Sequence, residues 1–392
     1  MKPLDGIKVL DLSRVLAGPT ASMILADLGA DVIKVEQPGK GDETRQWGPP
    51  FKGGESAYYM SCNRNKRSIT LDIKKGYDIL MKLVEKSDVM ILNFLPRTLR
   101  KLKLTYEDIK MVKPDIIWAS ITGFGLDCSK NNEPGYDALI QGLSGFMSIT
   151  GEKDGPPMKV GVAICDIFTA LYTVIAILSA LRRRDITKEG ARIDNSLLEC
   201  SMASLANVAT NYLIGDIVPQ RYGNQHPNIV PYQAFKAKDD YFIVAVGNDD
   251  QFKRLCKVIG KPELAEDNRF KTNPERLKHR GILIPILAKI FAEKERDYWI
   301  NLLKSENIPS GPVRNVKEAF DDPYVKERHF IEEILHPTAK RIKLFRNPIH
   351  MDRDTFPIYR HPPLLGEHTE EVLKELGYSN MDIQTFKKRG II

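Results

Sequence analysis

Cysteine is scarce in this chain: five in 392 residues, Cys62, Cys128, Cys165, Cys200 and Cys256, with no C-x-x-C pair. That excludes a disulfide framework and a zinc ribbon. It predicts reduced thiols in a reducing compartment, the cytoplasm, or the mitochondrial matrix if a leader has been removed. Long hydrophobic runs are also missing. The longest, from Ile167 to Leu181, falls short of the roughly 20 residues that span a bilayer and carries Thr169, Tyr172, Thr173 and Ser179. It predicts a buried helix of a soluble protein and no membrane partner. The opening MKPLDGIKVLDLS has neither a signal-peptide apolar core nor an Arg/Ser-rich leader. No run of five or six like charges occurs, and 58 basic against 51 acidic residues leave only +7. A nucleic-acid partner is therefore not expected; a mild basic excess suits a phosphorylated or carboxylate ligand. No histidine precedes His226, so a Ser-His-Asp or Cys-His arrangement would have to reach across domains. The Walker loop, H-E-x-x-H and G-x-S-x-G are absent, and no metal set is evident.

What is present is ordinary globular composition, 42% hydrophobic and 28% charged, with a strand–helix alternation. IKVLDLS (7–13) reads as a strand, AGP (17–19) as a break, Ala21–Leu28 as a helix closed by Gly29, and DVIKVE (31–36) as the next strand. SITLDI (68–73), DVMILNF (88–94), DIIWASITGFG (115–125) and RIDNSLL (192–198) continue the series. Helices are expected at Tyr77–Ser87, in LRKLKLTYEDIKMVKP, from Asp166 to about Arg184, and at Glu199–Leu213. This is the α/β pattern of a doubly wound parallel sheet. The expected organisation is a large domain over 1–214, a Pro/Gly-containing linker over 215–231, a smaller α+β domain over 232–330 and a C-terminal segment over 331–392. The smaller domain holds a hairpin in 232–247, helices at 249–259, 274–293 and 296–306, and a turn at IPSGPV (308–313).

A strand–helix–strand start with Glu36 closing its second strand invites a dinucleotide reading, the acid binding a ribose hydroxyl. The first turn argues against it. SRVLAGPTAS (13–22) has one glycine, followed by Pro19, where a pyrophosphate loop needs G-x-G-x-x-G. Asp166 stands immediately before the apolar run from Ile167. Two roles fit that place, a helix N-cap and a catalytic carboxylate. Cys165 beside it is the rival nucleophile.

Longer segments carry a resemblance. PLDGIKVLDLSRVLAGP (3–19), LADLGADVIKVEQPGKGDETRQWGPPF (25–51) and NRNKRSITLD (63–72) resemble the start of class III CoA-transferases, the CaiB/BaiF family. PGYDALIQGLSGFMSITG (134–151), GVAICDIFTALY (161–172), GNQHPNIVPYQAF (223–235) and PPLLGEHTEEVLKELG (362–377) are similar to its later motifs, in family order. NRNKRSI, YLIG and HPNIVPYQAFK look most like the succinate–hydroxymethylglutarate branch. The resemblance implies a large domain with a Rossmann-like sheet, a smaller α+β domain, a C-terminal segment returning to the large domain, and two chains interlocked as a homodimer.

It also implies a site. The family nucleophile falls on Asp166, which would pass the acyl group through an aspartyl mixed anhydride and an aspartyl-CoA thioester. CoA enters as substrate rather than as a permanently bound cofactor. Its contacts fall on Val15, Leu16 and Ala17, on Leu71, and on Asn93, Phe94 and Lys101. Tyr136 and Asp137 match a segment lining the pantetheine channel. Arg97, Arg100, Lys101 and Lys103 form a cationic cluster suited to phosphates or to a solvated helix face. Gln37 stands where formyl-CoA transferases carry an arginine. Gly223 and Gly247 are candidate oxyanion donors or plain turn residues. Arg14, Arg45 and His226 are candidates to read the free carboxylate of a dicarboxylic acid.

Three other functions compete. An α-methylacyl-CoA racemase of the same family would need a base where Tyr136 stands, and a phenol with a pKa near 10 is a poor one. A non-catalytic CoA-binding protein would not need Asp166. A nicotinamide dehydrogenase would need the missing glycines.

Overall fold

The computed structural model describes residues 2–352 and 354–392. Six strands form one sheet: β1 (Lys8–Asp11), β2 (Asp31–Glu36), β3 (Lys66–Thr70), β4 (Val89–Leu92), β5 (Ile117–Thr122) and β6 (Ala191–Ser196). Their order is β3-β2-β1-β4-β5-β6, and every neighbouring pair is parallel. The expected parallel α/β sheet is thus present, in the doubly wound order that reverses direction between β1 and β4. Its central strands carry apolar residues on both faces. Val9, Val32, Val89 and Ile117 pack with helix α1 (Ala17–Asp27) and the long helix Ile164–Thr187. Leu10, Val35, Met90 and Trp118 pack with Tyr77–Glu85 and the C-terminal helices on the other side.

Helix α1 begins four residues earlier than the sequence suggested. Ala17-Gly18-Pro19 is its first turn, not a break. Proline costs nothing there, because the first helical N–H groups have no partner within the helix. Gly18 is required by close approach: a Cβ on it would come within 2.2 Å of Ser13 Oγ.

The long helix is half-buried rather than buried. Its most apolar 18-residue stretch has a mean hydropathy of 2.1, enough by length and composition to cross a membrane. One side, with Ala170, Val174 and Ile177, joins the core, whereas Leu171, Tyr172 and Ile175 are exposed.

The chain divides into two compact units. The first comprises residues up to Phe146, Lys159–Ile217 and Val325–Ile392; the second comprises Met147–Met158 and Val218–Tyr324. Met147–Met158, expected in the large domain, therefore clusters with the smaller unit, which also takes in most of the expected linker, from Val218, and ends at Tyr324 rather than 330. The C-terminal residues cover the β3 edge of the sheet. His368 N–H donates to the Ser68 carbonyl at 2.9 Å, Ser68 N–H to His368 Nδ1 at 3.3 Å, and Thr70 N–H to Thr369 Oγ1 at 3.0 Å. Farther along, Asp72 N–H donates to the carbonyl of Ile391.

In the second unit, β7 (Tyr232–Lys236) and β8 (Tyr241–Ala245) form the expected hairpin. The IPSGPV turn supplies a third strand, β9 (Ser310–Pro312), antiparallel to Phe242–Val244. It is an edge strand, where proline is tolerated. Its core is aromatic: Phe235, Phe242, Phe252, Phe291 and Trp299.

Candidate active site

Reversal of strand order leaves a crevice at the carboxyl ends of β1 and β4, the usual ligand position in open α/β sheets. Two cavities lie there, of about 430 Å3 and about 220 Å3. They share Arg14, Asn93 and Leu95.

The loop after β1 is held hard. Val15 has φ +72°, a conformation costly for a β-branched residue, about 1–3 kcal/mol. Asp42 accepts its N–H at 3.2 Å from either carboxylate oxygen. Asp42 is itself buried against Lys34 at 2.9 Å, and Lys34 Nζ donates to the Ser13 carbonyl at 2.8 Å. Burial alone would raise the Asp42 pKa; the Lys34 charge and the hydrogen bonds from Lys34 and Thr44 together outweigh it and hold the carboxyl below its ordinary range. Asn93 clamps the preceding residue, accepting the Arg14 N–H at 3.1 Å and donating to the Arg14 carbonyl at 2.8 Å.

The smaller cavity is walled by Val15, Leu16, Ala17, Tyr136, Asp137 and Asp166, among others. Asp166 is the third residue of its helix, not its cap. The capping is done by Asp137, whose Oδ1 accepts the Cys165 N–H at 2.8 Å and the Asp166 N–H at 3.4 Å. Asp137 Oδ2 accepts from Gln141 Nε2 at 2.6 Å, so the capping carboxylate is braced by its own helix. The Asp166 carboxylate has no hydrogen bond or ion pair among the described residues. Burial, then the nearby Asp137 charge, pushes its pKa up to about 7. Cys165 is buried and its thiol is pushed up to about 11 by burial, so it is a poor nucleophile at neutral pH. Sequence reading missed Tyr58. Burial and the charge of Asp166 raise its phenol to about 12, and its ring meets Trp47 edge-on at 5.1 Å. No spacing signal marks it.

The larger cavity brings together Leu71, Asn93 and Phe94, with Gln37 and Glu36 on its wall. Thr98 and Leu102 of the helix Pro96–Leu102 line it; Arg97 and Lys101 do not, standing exposed on the adjoining helix face. Arg100 lines a separate depression with Trp118 and Arg192. Lys74, not anticipated from the sequence, contributes a cation to the wall.

Several of the expected site residues have local partners in the fold. Arg45 is spent on structure: Nε and Nη2 form a fork with the two Glu36 oxygens at 2.8 and 2.7 Å, and Nη2 also reaches Tyr59 Oη and the Pro363 carbonyl. Glu36, offered as a ribose ligand, is Arg45's partner and also accepts from Ser68 Oγ and the Asp42 N–H. His226 belongs to the second unit, where Nδ1 accepts the Asn228 N–H at 3.0 Å and the ring tilts on Tyr232. The two candidate oxyanion glycines are occupied locally: Gly223 N–H donates to the Gly151 carbonyl and Gly247 N–H to Gln251 Oε1.

Among the described residues, then, a carboxylate stands without a partner in a cavity at the strand-order reversal, and a second cavity shares its wall. The model of CoA-transferase family III matches residues 4–369. The chain belongs to that family. It is 44% identical to the human succinyl-CoA:glutarate CoA-transferase, covering all of this chain and 90% of the relative. It is also 44% identical to the succinate–glutarate CoA-transferase of Agrobacterium fabrum, covering 95% and 96%. The crystal structure of a CaiB/BaiF family protein from Brucella suis superposes with a TM-score of 0.85 at 44% identity, covering 96% of this chain and 99% of that one. The human and Agrobacterium relatives are both CoA-transferases, and family and relatives together make this chain one: an enzyme that moves CoA between a thioester and a free carboxylic acid.

Proposed function

We propose that this CoA-transferase exchanges CoA between small dicarboxylic acids of the succinate and glutarate type, with Asp166 as nucleophile. The observation that carries the reading is the Asp166 carboxylate, partnerless in a cavity whose wall includes Arg14. The names of the relatives support the substrate class. The thioester end of CoA would lie beside Val15, Leu16, Ala17 and Tyr136, and the rest along Leu71, Asn93 and Phe94. Arg14 and Lys74 are the exposed cations nearest the larger cavity's wall, and Lys74 answers the arginine that Gln37 replaces.

In the reaction, an Asp166 oxygen attacks the donor thioester carbonyl, and the C–S bond breaks to release CoA thiolate. The thiolate attacks the aspartyl carbonyl of the mixed anhydride, freeing the first acid and leaving an aspartyl-CoA thioester. The second acid repeats these steps in reverse and restores Asp166. Activation is conserved throughout because water never accepts the acyl group. Incubation with succinyl-CoA and hydroxylamine should mark the peptide containing Asp166, and Asp166→Ala should abolish both mark and exchange while CoA still binds. A mark on Cys165, or more than a few per cent residual turnover, would sink the assignment.

We also propose a homodimer. The exposed apolar side chains of the long helix (Leu171, Tyr172, Ile175) and of helix Ala206–Gly215 (Tyr212, Leu213, Ile214) support it. Solvated patches of this kind mark interfaces.

A further inference from the structure

Among the described residues, Arg14 is the only cation in the wall of the Asp166 cavity, which carries three carboxylates: Glu43, Asp137 and Asp166. An acid arriving there meets more negative than positive charge, so its binding depends on Arg14. Yet Arg14 is already engaged: Nη1 donates to Glu43 Oε1 at 2.7 Å. Both side chains are 49% exposed, so the pair is solvated and cheap to open. Their backbones are not free to move. Asn93 clamps Arg14 on both sides, and Asp42, the residue before Glu43, is buried on Lys34 and holds Val15. Only the two side-chain ends are left to rearrange.

Resting on the dicarboxylate reading above, we propose that Glu43 is a specificity residue: an internal stand-in for the substrate's distal carboxylate. It occupies Arg14 when the site is empty and yields it to a dicarboxylic acid. A monocarboxylic acid has nothing to offer Arg14, and the pair stays closed. Glu43 therefore competes with the distal carboxylate for one guanidinium. Arg14 also lines the larger cavity and lies 5.9 Å from the Phe94 ring centroid, so a phosphate of CoA is the rival claimant.

The test is steady-state kinetics of wild type, Glu43→Gln, Arg14→Gln and the double variant, with succinate, glutarate and butyrate as acceptors. Glu43→Gln should lower KM for both dicarboxylates about two- to fivefold, the range a solvated ion pair can supply, with kcat nearly unchanged and butyrate unaffected. The gain should vanish in the Arg14→Gln background. An unchanged or raised dicarboxylate KM in Glu43→Gln would overturn the proposal while leaving the wild-type preference intact. So would a KM change confined to the acyl-CoA, which would give Arg14 to the phosphates. Equal use of butyrate and succinate by wild type would instead remove the dicarboxylate reading itself. Glu43 is exposed, so circular dichroism and melting of Glu43→Gln should match wild type.

Discussion

Asp137 caps the helix that presents Asp166, accepting the Cys165 N–H at 2.8 Å and the Asp166 N–H at 3.4 Å. The carboxylate that fixes Asp166 in place is thus also a negative charge beside it. Burial and that charge together put the Asp166 pKa at about 7.

A pH profile follows. Asp166 must be ionised to attack, so the exchange rate should rise with pH and level off above about 7. Asp137→Asn keeps a capping oxygen and removes the charge. Its midpoint should move to lower pH yet stay above the ordinary carboxylate value, because burial is the larger cause. A midpoint unmoved in Asp137→Asn would show that the charge has no influence.

Stability should depend on the same group. A carboxyl raised from 3.8 to about 7 on folding costs the native state increasingly as pH rises between those values. Above pH 7 the cost is complete, on the order of a few kcal/mol. Asp166→Asn should therefore melt above wild type at pH 8, and the difference should shrink on acidification and disappear near pH 4. Thermal denaturation across that range checks it.

Arg45 should behave as a structural residue. Its loss strands the buried Glu36, a defect of about 3–5 kcal/mol. Arg45→Gln should melt well below wild type, and Arg45→Lys should not restore it, since an ammonium cannot fork to two oxygens. The folded fraction should keep the wild-type order of acid acceptors. A reversed order with normal stability would return Arg45 to substrate recognition.

Dimerisation is checked by sedimentation. Wild type should run as a dimer at micromolar concentration. Ile175→Glu, placing a charge on an exposed apolar side of the long helix, should weaken that dimer. A folded wild-type monomer would refute the proposal.

The sheet was legible from the sequence because its central strands, such as Val89–Leu92 and Ile117–Thr122, are fully buried apolar-rich runs. DVIKVE forms a strand over the six residues expected, and the other runs differ from the observed strands only at their ends. Motif order also picked out the loop after β1, Leu71, Asn93, Phe94 and Asp166, which line the two cavities. What sequence could not expose were pairings set by the fold. Asp137 and Cys165 lie 28 positions apart, and nothing local says that one caps the other. Arg45 looked available because its fork to Glu36 needs a folded turn to close it. Arg97 was read from its charge and Lys101 from the motif match as well; neither signal carries the helix face, which gives the cavity wall to Thr98 and Leu102.

The cover over strand β3 has a bearing on biosynthesis. Ser68 leaves the ribosome 300 residues before His368, the residue that completes its hydrogen bonds. At ordinary synthesis rates that interval is roughly 15–60 s. For all of it the nascent sheet offers an unpaired rim that any extended peptide could extend. A chaperone that shields that rim until release would raise the yield of the enzyme without touching its catalysis. A stop codon even a few tens of residues early would leave it open for good.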